Sequence, residues 1–382
     1  MAMKIFHTSD WHLGKMLYGK SLMEDQKYFI HQVFLKEVEN RKPDLVLIAG
    51  DIYDKQIAPA DAIMLFDEVM IRLTEMGVKT AVISGNHDSA QRLALMKPLL
   101  RKMGAYISTS LEDALQPVTV EAGGESASIF LLPFLDNAQV RDYFKDDSLR
   151  GEAACMQRVI EELESVKSKL ELPENNVNIL MAHCFVIGGV PVTEGSSVFA
   201  GGSGNIPVSI MEGFDYTALG HLHGAQRVGR GRYSGTPLKF SVDEEHHKKS
   251  FTELIIENGE ITHTLVPIPH LRDVRRITGL FEDILQQGIE NPTDDYTEIV
   301  LTDKQPILFA AQKLSPYYPN HLAVRNEWAM SQARNGNVKR EKDADERTLF
   351  KSFMKDICNA ETGGAEEELF AEILEEVLRP CL

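Results

Sequence analysis

A chain of 382 residues with 43% hydrophobic content is long enough to bury a full core and to hold more than one domain. Its formal net charge of −17 excludes a protein that coats nucleic acid by charge alone. No apolar run approaches the roughly 20 residues that span a bilayer, the start Met1-Ala2-Met3-Lys4-Ile5 lacks a signal-peptide layout, and Cys155, Cys184, Cys358 and Cys381 show neither metal-type spacing nor a disulfide framework; a reduced cytoplasm fits all three.

From residue 3 to about residue 270 strand-like and helix-like stretches alternate, the pattern of a layered α/β domain. Strands are predicted over residues 4–8, 45–49, 80–83, 129–132, 179–182 and 216–219. Five of them run into a polar cluster. Asp10 and His12 follow the first, Asp51 the second, Asn86, His87 and Asp88 the third, His183 the fifth, and His221 and His223 the sixth. If these strands are parallel, the clusters end on one edge of one sheet, where open α/β folds place their sites.

Helices are expected over residues 60–76, with Ile63, Phe66, Met70 and Leu73 as a buried stripe, and over 90–103. Both carry more apolar surface than one buried face needs, which favours an interface. Residues 186–207, rich in Gly, Ser and Val, form a loop beside the clusters, either a gate for a strand end or an ordinary surface loop. Arg227, Arg230, Arg232, Lys239, Lys248, Lys249, Arg272, Arg275 and Arg276 form a basic run that lines a phosphate track or is simply solvated. Pro267 and Pro269 close the first domain, residues 1–270. A smaller domain, 271–337, has strands at 274–278, 295–301 and 321–326, and a charged linker at 338–343 opens the last segment, 338–382. Its helices are expected over 346–358 and 365–378, the second with Leu369, Phe370, Ile373, Leu374, Val377 and Leu378 on one face. Docking on a partner helix suits that stripe better than packing on its own domain.

Asp10, His12, Asp51, Asn86, His183, His221 and His223 supply carboxylates, imidazoles and one amide oxygen, with no thiolate. Such a set favours Mn, Fe or Zn over an all-oxygen Mg or Ca site. Asp51 is the natural bridge between two ions, sharing Asp10, His12 and His223 with one and Asn86, His183 and His221 with the other. Two ions roughly 3.5–4 Å apart activate a water and clamp the attacking and leaving oxygens of a phosphoryl transfer, so hydrolysis of a phosphate ester is the expected chemistry. His87, beside the metals, suits protonation of the leaving oxygen; Asp54 is the candidate to orient it and Asp88 the competitor. One Asp-x-His arises by chance in many chains. Five clusters in order, each after a strand, do not.

The series Asp10-x-His12, Gly50-Asp51, Gly85-Asn86-His87-Asp88, His183 and Gly220-His221-x-His223 resembles the signature of the calcineurin-like metallophosphoesterase family. The flanking words, residues 7–14 and 233–241, are similar to those of the nuclease subunits of bacterial SbcCD repair complexes, relatives of the meiotic-recombination nucleases of archaea and eukaryotes. The likeness is strong to about residue 270 and rests mostly on length and layout beyond it. It implies an α/β fold in which a two-sheet sandwich flanked by helices carries a small α+β capping domain and C-terminal helices. It also implies a Mn²⁺-dependent nuclease for DNA repair and recombination, a 3′-to-5′ exonuclease on duplexes and an endonuclease on single strands and hairpins. The implied partners are DNA, a second copy of the chain, and an SbcC-type ATPase docked on the C-terminal helices, a homodimer within a heterotetramer. Asp54 resembles the Asp that orients the catalytic His in many phosphoesterases, although the archaeal and eukaryotic nucleases tend to have His there. The alternative is a small-molecule phosphodiesterase or protein phosphatase on the same metals; protein phosphatases often follow Gly-Asp-x-x-Asp with Arg-Gly, where this chain has Lys55-Gln56.

Overall fold

The computed structural model describes residues 2–187, 206–328, 346–356 and 362–378. The strands are β1 (Met3–Thr8), β2 (Met16–Leu17), β3 (Lys20–Ser21), β4 (Leu45–Ala49), β5 (Lys79–Ile83), β6 (Ala105–Ser108), β7 (Val118–Ala122), β8 (Glu125–Leu132), β9 (Asn176–His183), β10 (Tyr216–Gly220), β11 (Gln226–Val228), β12 (Gly231–Tyr233), β13 (Ser250–Glu257), β14 (Glu260–Pro267), β15 (Val274–Gly279), β16 (Tyr296–Leu301) and β17 (His321–Asn326). The chain divides into two compact units, Met1–Val274 and Arg275–Leu382.

The first unit is a layered α/β fold built on two six-stranded sheets, β14-β13-β1-β4-β5-β6 and β11-β12-β10-β9-β8-β7. In each, the central strands are parallel; antiparallel pairs end both edges of the second sheet, β7 on β8 and β11 on β12. They also end one edge of the first, where β13 lies antiparallel on β1, with Met3 opposite Ile256, and β14 on β13, while the other edge, β6, runs parallel to β5. Strands covered on both faces read as continuous apolar runs, and every residue of β4 is buried. Alternation then sorts the side chains. Ile5, Leu47, Ala49 and Ile83 of the first sheet meet Ile129, Leu131, Ile179 and Met181 of the second in the core between them. The opposite parity of the second sheet, including Phe130, Leu180 and Leu219, packs with Cys155, Val159, Ile160 and Leu163 of the helix Gly151–Lys167. Each fully buried Leu or Ile contributes roughly 1.5–3 kcal/mol, and a one-residue slip would turn a whole strand inside out.

Two sheets correct the expectation of a single sheet edge. The clusters after β1, β4 and β5 leave the first sheet, whereas His183 ends β9 and His221 and His223 follow β10 of the second. Apolar runs of equal character build both sheets, so pattern alone does not assign a strand to either.

Two helical expectations also shift. Ala60–Glu75 is one helix, but its buried face is Ala62, Leu65, Phe66, Val69, Met70 and Leu73, with Ile63 exposed; two apolar stripes overlap, and periodicity does not choose between them. Residues 90–103 form two short helices, Ala90–Leu93 and Lys97–Lys102, broken at Met96 with φ 61°. Pro98, just inside the second, explains the break, since its ring would strike the carbonyl four residues earlier in a continuous helix. Val186 pairs with Ile206 in an isolated parallel bridge; the rest of the expected loop, residues 188–205, lies outside the described residues.

The second unit holds the three-stranded sheet β15-β16-β17, with Phe281 and Ile284 of the helix Phe281–Glu290 buried against Ile299, Leu314 and Tyr318. Within its C-terminal part the helices Glu346–Asp356 and Gly364–Leu378 pair through Phe350 and Phe370, whose rings stack at 4.1 Å, and through Lys351 and Glu367 at 2.8 Å. The expected linker at 338–343 lies outside the described residues.

Candidate metal centre

Two loops of the first sheet, those after β1 and β4, are tied together by their own backbones. Asp10 N–H donates to Gly50 O at 3.0 Å, His12 N–H to Asp51 O at 2.9 Å and Leu13 N–H to Ile52 O at 2.8 Å. Between the first two, Trp11 is fully buried against Phe29, Phe34 and Phe66, so the loop that carries Asp10 and His12 is anchored at its middle. Gln26 fastens the same loop, its amide donating to His12 O at 2.8 Å and accepting from Gly14 N–H at 2.9 Å. Asp10, His12, Asp51 and His221 all have left-handed backbones, with φ of 53°, 44°, 48° and 106°. Each such residue costs on the order of 1–3 kcal/mol and persists where surrounding structure enforces it, typically at functional sites.

Glycine lets the second sheet close onto these loops. At Gly50, with φ 86°, a Cβ would lie 2.3 Å from His183 Nδ1, and at Gly220 it would lie 1.8 Å from Ala49 O. Only a bare backbone permits that approach.

The donor atoms converge on Asp51. Its Oδ2 lies 3.6 Å from His12 Nε2 and 3.3 Å from His183 Nε2. Asn86 Oδ1 lies 3.1 Å from His183 Nε2 and 3.3 Å from His221 Nδ1. The His223 ring packs edge-on to His12 at 5.3 Å between centroids. Asp10 accepts His221 N–H at 2.9 Å, and Asp10, Asp51 and His183 bring ligand atoms within 4.8 Å of one another. Asp10, His12, Asp51 and His183 form a buried floor, while Asn86, His87, His221 and His223 are half-buried at the mouth. Both nitrogens of His12 are buried without a hydrogen-bond partner. Burying unpaired polar atoms is costly, and a cation held on that ring resolves the cost, so these residues fit a metal pair.

Partners behind the rings fix which nitrogen faces inward. His183 Nδ1 lies 2.9 Å from Ala49 O, His87 Nδ1 2.9 Å from Asp54 O, and His223 Nδ1 2.9 Å from Glu244 Oε1. His87 N–H also donates to Asp51 Oδ1 at 2.9 Å. The Asp54 carboxylate holds Lys15 at 3.0 Å and lies 3.7 Å from His12 Nδ1. His12, Asp54 and His87 form a second ligand-like group, but an ammonium already sits on that carboxylate. Asp88 turns away from His87: its oxygens accept from Ile52 N–H at 3.1 Å, Tyr53 N–H at 2.9 Å and Gly85 N–H at 2.9 Å, joining the loop of Asp51 to that of Asn86.

Charge follows burial and proximity. Burial pushes the His183 imidazole down, but the Asp51 and Asp10 carboxylates lift it to about 9. Burial likewise works to raise Asp51, yet His183 and His12 hold its carboxyl far below the usual range. Burial lifts Asp10 to about 6 and drives His221 down to about 4. Cys184, next to His183, is a buried core thiol pushed up to about 12 by burial.

Glu244 and Lys15 are not among the sequence-predicted site residues, and Lys249 is read there only as part of the basic run. Most of the basic run is structural. Lys249 pairs with Glu244, Lys239 with Asp273, Arg272 with Asp25, Arg275 with Asp295 and Arg276 with Glu298. Arg227, Arg230 and Lys248 remain exposed.

The chain matches the family model described as calcineurin-like phosphoesterase over residues 3–225 and that described as type 5 capsule protein repressor C-terminal domain over residues 270–357. It is 32% identical over 381 residues to the SbcD component of the SbcCD nuclease of Staphylococcus epidermidis, covering 98% of this chain and 99% of that protein. A solved crystal structure covers 69% of this chain and 99% of its own at 15% identity, with a TM-score of 0.39, too distant to inform the site.

Proposed function

From the premise that this chain belongs to the calcineurin-like phosphoesterase family, and from its full-length likeness to a component of a nuclease, we propose that it is a DNA nuclease working with two Mn²⁺ ions. Its family makes it a metal-dependent phosphoester hydrolase. The observation that carries the reading is Asp51 Oδ2, set between His12 Nε2 and His183 Nε2 at 3.6 and 3.3 Å. One ion would be held by Asp10, His12 and His223 and the other by Asn86, His183 and His221, with Asp51 available to both. Two divalent ions supply the positive charge and the acidified water that phosphodiester cleavage needs. The chain does the rest. Asp88 and the loop-to-loop hydrogen bonds hold the donors in place, and His87, held through Nδ1 by Asp54 O, has Nε2 as the nitrogen that would protonate the leaving oxygen.

The proposed actions are 3′-to-5′ cutting of duplex ends and internal cutting of single strands and hairpins, in DNA repair and recombination. The printed name of the relative, a component of SbcCD, supports an SbcC-type ATPase partner. Leu369 and Ile373, both exposed on the last helix, offer it an apolar ridge. Met64 and Met96, 69% and 71% exposed, support a homodimer built from the two helical segments near the metal loops, within a heterotetramer. A cytoplasmic location belongs to the same proposal and is supported by the buried free thiols of Cys155 and Cys184.

The test is cleavage of blunt duplex, single-stranded and hairpin DNA with Mn²⁺ and with Mg²⁺, comparing the wild type with His87→Ala. Manganese-dependent cutting that the substitution removes is the expected result. If no DNA is cut, alone or with the ATPase, while a small phosphodiester turns over, the nuclease reading falls to a small-molecule enzyme of the same family.

A further inference from the structure

Behind His223 lies a buried ion pair that hydrolysis does not itself require. Glu244 is fully buried and the Lys249 side chain is 2% exposed. The Lys249 ammonium donates to Glu244 Oε2, to Thr236 Oγ1 at 2.6 Å and to His223 O at 3.1 Å. Glu244 Oε1 stands 2.9 Å from His223 Nδ1. The His223 carbonyl also accepts Thr236 N–H at 3.1 Å. The pair thus grips one residue at both its ring and its main chain. Desolvating two charges offsets most of what their attraction returns, so an apolar pair of similar volume would stabilise the fold about as well. An oxygen acceptor behind an imidazole, by contrast, fixes ring orientation and proton position.

We propose that Glu244, held by Lys249, is a positioning residue for the metal centre: it keeps His223 as the Nδ1–H tautomer, so that Nε2 is the nitrogen presented to an ion. The inference rests on the metal-centre reading above. It also separates the imidazoles by their supports, because His183 is backed by the neutral carbonyl of Ala49 at 2.9 Å and His223 by a carboxylate. Removing the acceptor should therefore weaken the ion held by His223 and spare the ion held by His183.

The experiment is Mn²⁺ binding to the full-length chain, read from the paramagnetic resonance of free Mn²⁺, with unfolding of the metal-free chain as the control for fold. Two charge-balanced double variants are compared with the wild type. E244Q/K249M keeps an oxygen where Nδ1–H needs one; E244L/K249M removes it. The wild type and E244Q/K249M should bind two ions with similar affinity. E244L/K249M should lose roughly 10–100-fold at one of the two steps. Two wild-type steps in folded E244L/K249M would overturn the proposal, as would equal losses in both variants. Failure of the wild type to bind any Mn²⁺ would instead overturn the metal-centre reading, and this inference with it. A readout independent of the variants is the imidazole nitrogen spectrum of the metal-free wild type at mildly alkaline pH, with His223 assigned by substitution. A ring protonated on Nδ1 alone is expected, and a proton on Nε2 would overturn the assignment.

Discussion

The ring of His87 takes its orientation from the main-chain carbonyl of Asp54, 2.9 Å from Nδ1, while the Asp54 carboxylate lies on Lys15 at 3.0 Å. A main-chain acceptor survives any substitution at position 54. Asp54→Asn should then cost less than about tenfold in kcat on bis(4-nitrophenyl) phosphate, whereas His87→Ala should cost roughly 10²–10⁴-fold, the usual worth of general acid catalysis. Both variants should still bind two Mn²⁺. Equal losses in the two would return the orienting role to the carboxylate, and loss of an ion from His87→Ala would make that ring a ligand.

Asp88 carries three backbone donors from two loops. Asp88→Ala leaves them buried and unsatisfied, for a loss on the order of 3–5 kcal/mol in urea unfolding. Because those loops carry Asp51 and Asn86, Mn²⁺ affinity should fall along with stability. Asp88→Asn keeps one acceptor oxygen and should fall between the wild type and the alanine variant. Wild-type unfolding of Asp88→Ala would contradict the account.

At Gly50 an added methyl meets the His183 ring at 2.3 Å on a backbone with φ 86°. Gly50→Ala should destabilise the first unit by at least about 1–3 kcal/mol from backbone strain and displace His183. Mn²⁺ titration of the full chain should then lose one step while the other persists. Two unchanged steps would show that the sheets do not need so close an approach.

His7 is fully buried beside the Tyr216 hydroxyl, 3.1 Å from Nδ1, and burial pushes it down to about 3. Below the unfolded-chain value of 6.5 the unfolded state binds a proton that the native state refuses, so stability falls as pH drops from 6.5 toward 3. The slope from this one group approaches 1.36 kcal/mol per pH unit. His7→Gln should start less stable at pH 8, for want of its imidazole contact, yet lose stability less steeply between about pH 6 and pH 4. Parallel urea-unfolding slopes for both chains would rule His7 out as the acid-sensitive group.

The predicted donor positions were legible because each sits within a few residues of the end of an apolar strand, where residue type and spacing show in one dimension. What was hidden depends on burial. In the run from Asp243 to Lys249, Asp243, His246 and Lys248 are exposed while Glu244 and Lys249 are buried. Composition is alike for both groups, so the support of His223 reads as solvated charge. The basic residues from Arg227 to Arg276 misled for a related reason, since Lys239, Arg272, Arg275 and Arg276 are answered by carboxylates far away in sequence. Pro98, in contrast, is a local signal, and the reading of residues 90–103 as one helix passes over it in favour of apolar spacing.

The strand β13, next to the opening strand in the first sheet, pairs Ile256 with Met3. A ribosome must therefore release almost the whole first unit before the opening strand acquires its second neighbour. His223 and Glu244 emerge only shortly before that strand, so a growing polypeptide lacks a complete donor set for most of its synthesis. Long-range pairing of this kind forms slowly, because distant segments must meet before any contact rewards them. A chain released from the ribosome before His223 would accordingly lack part of the proposed donor set.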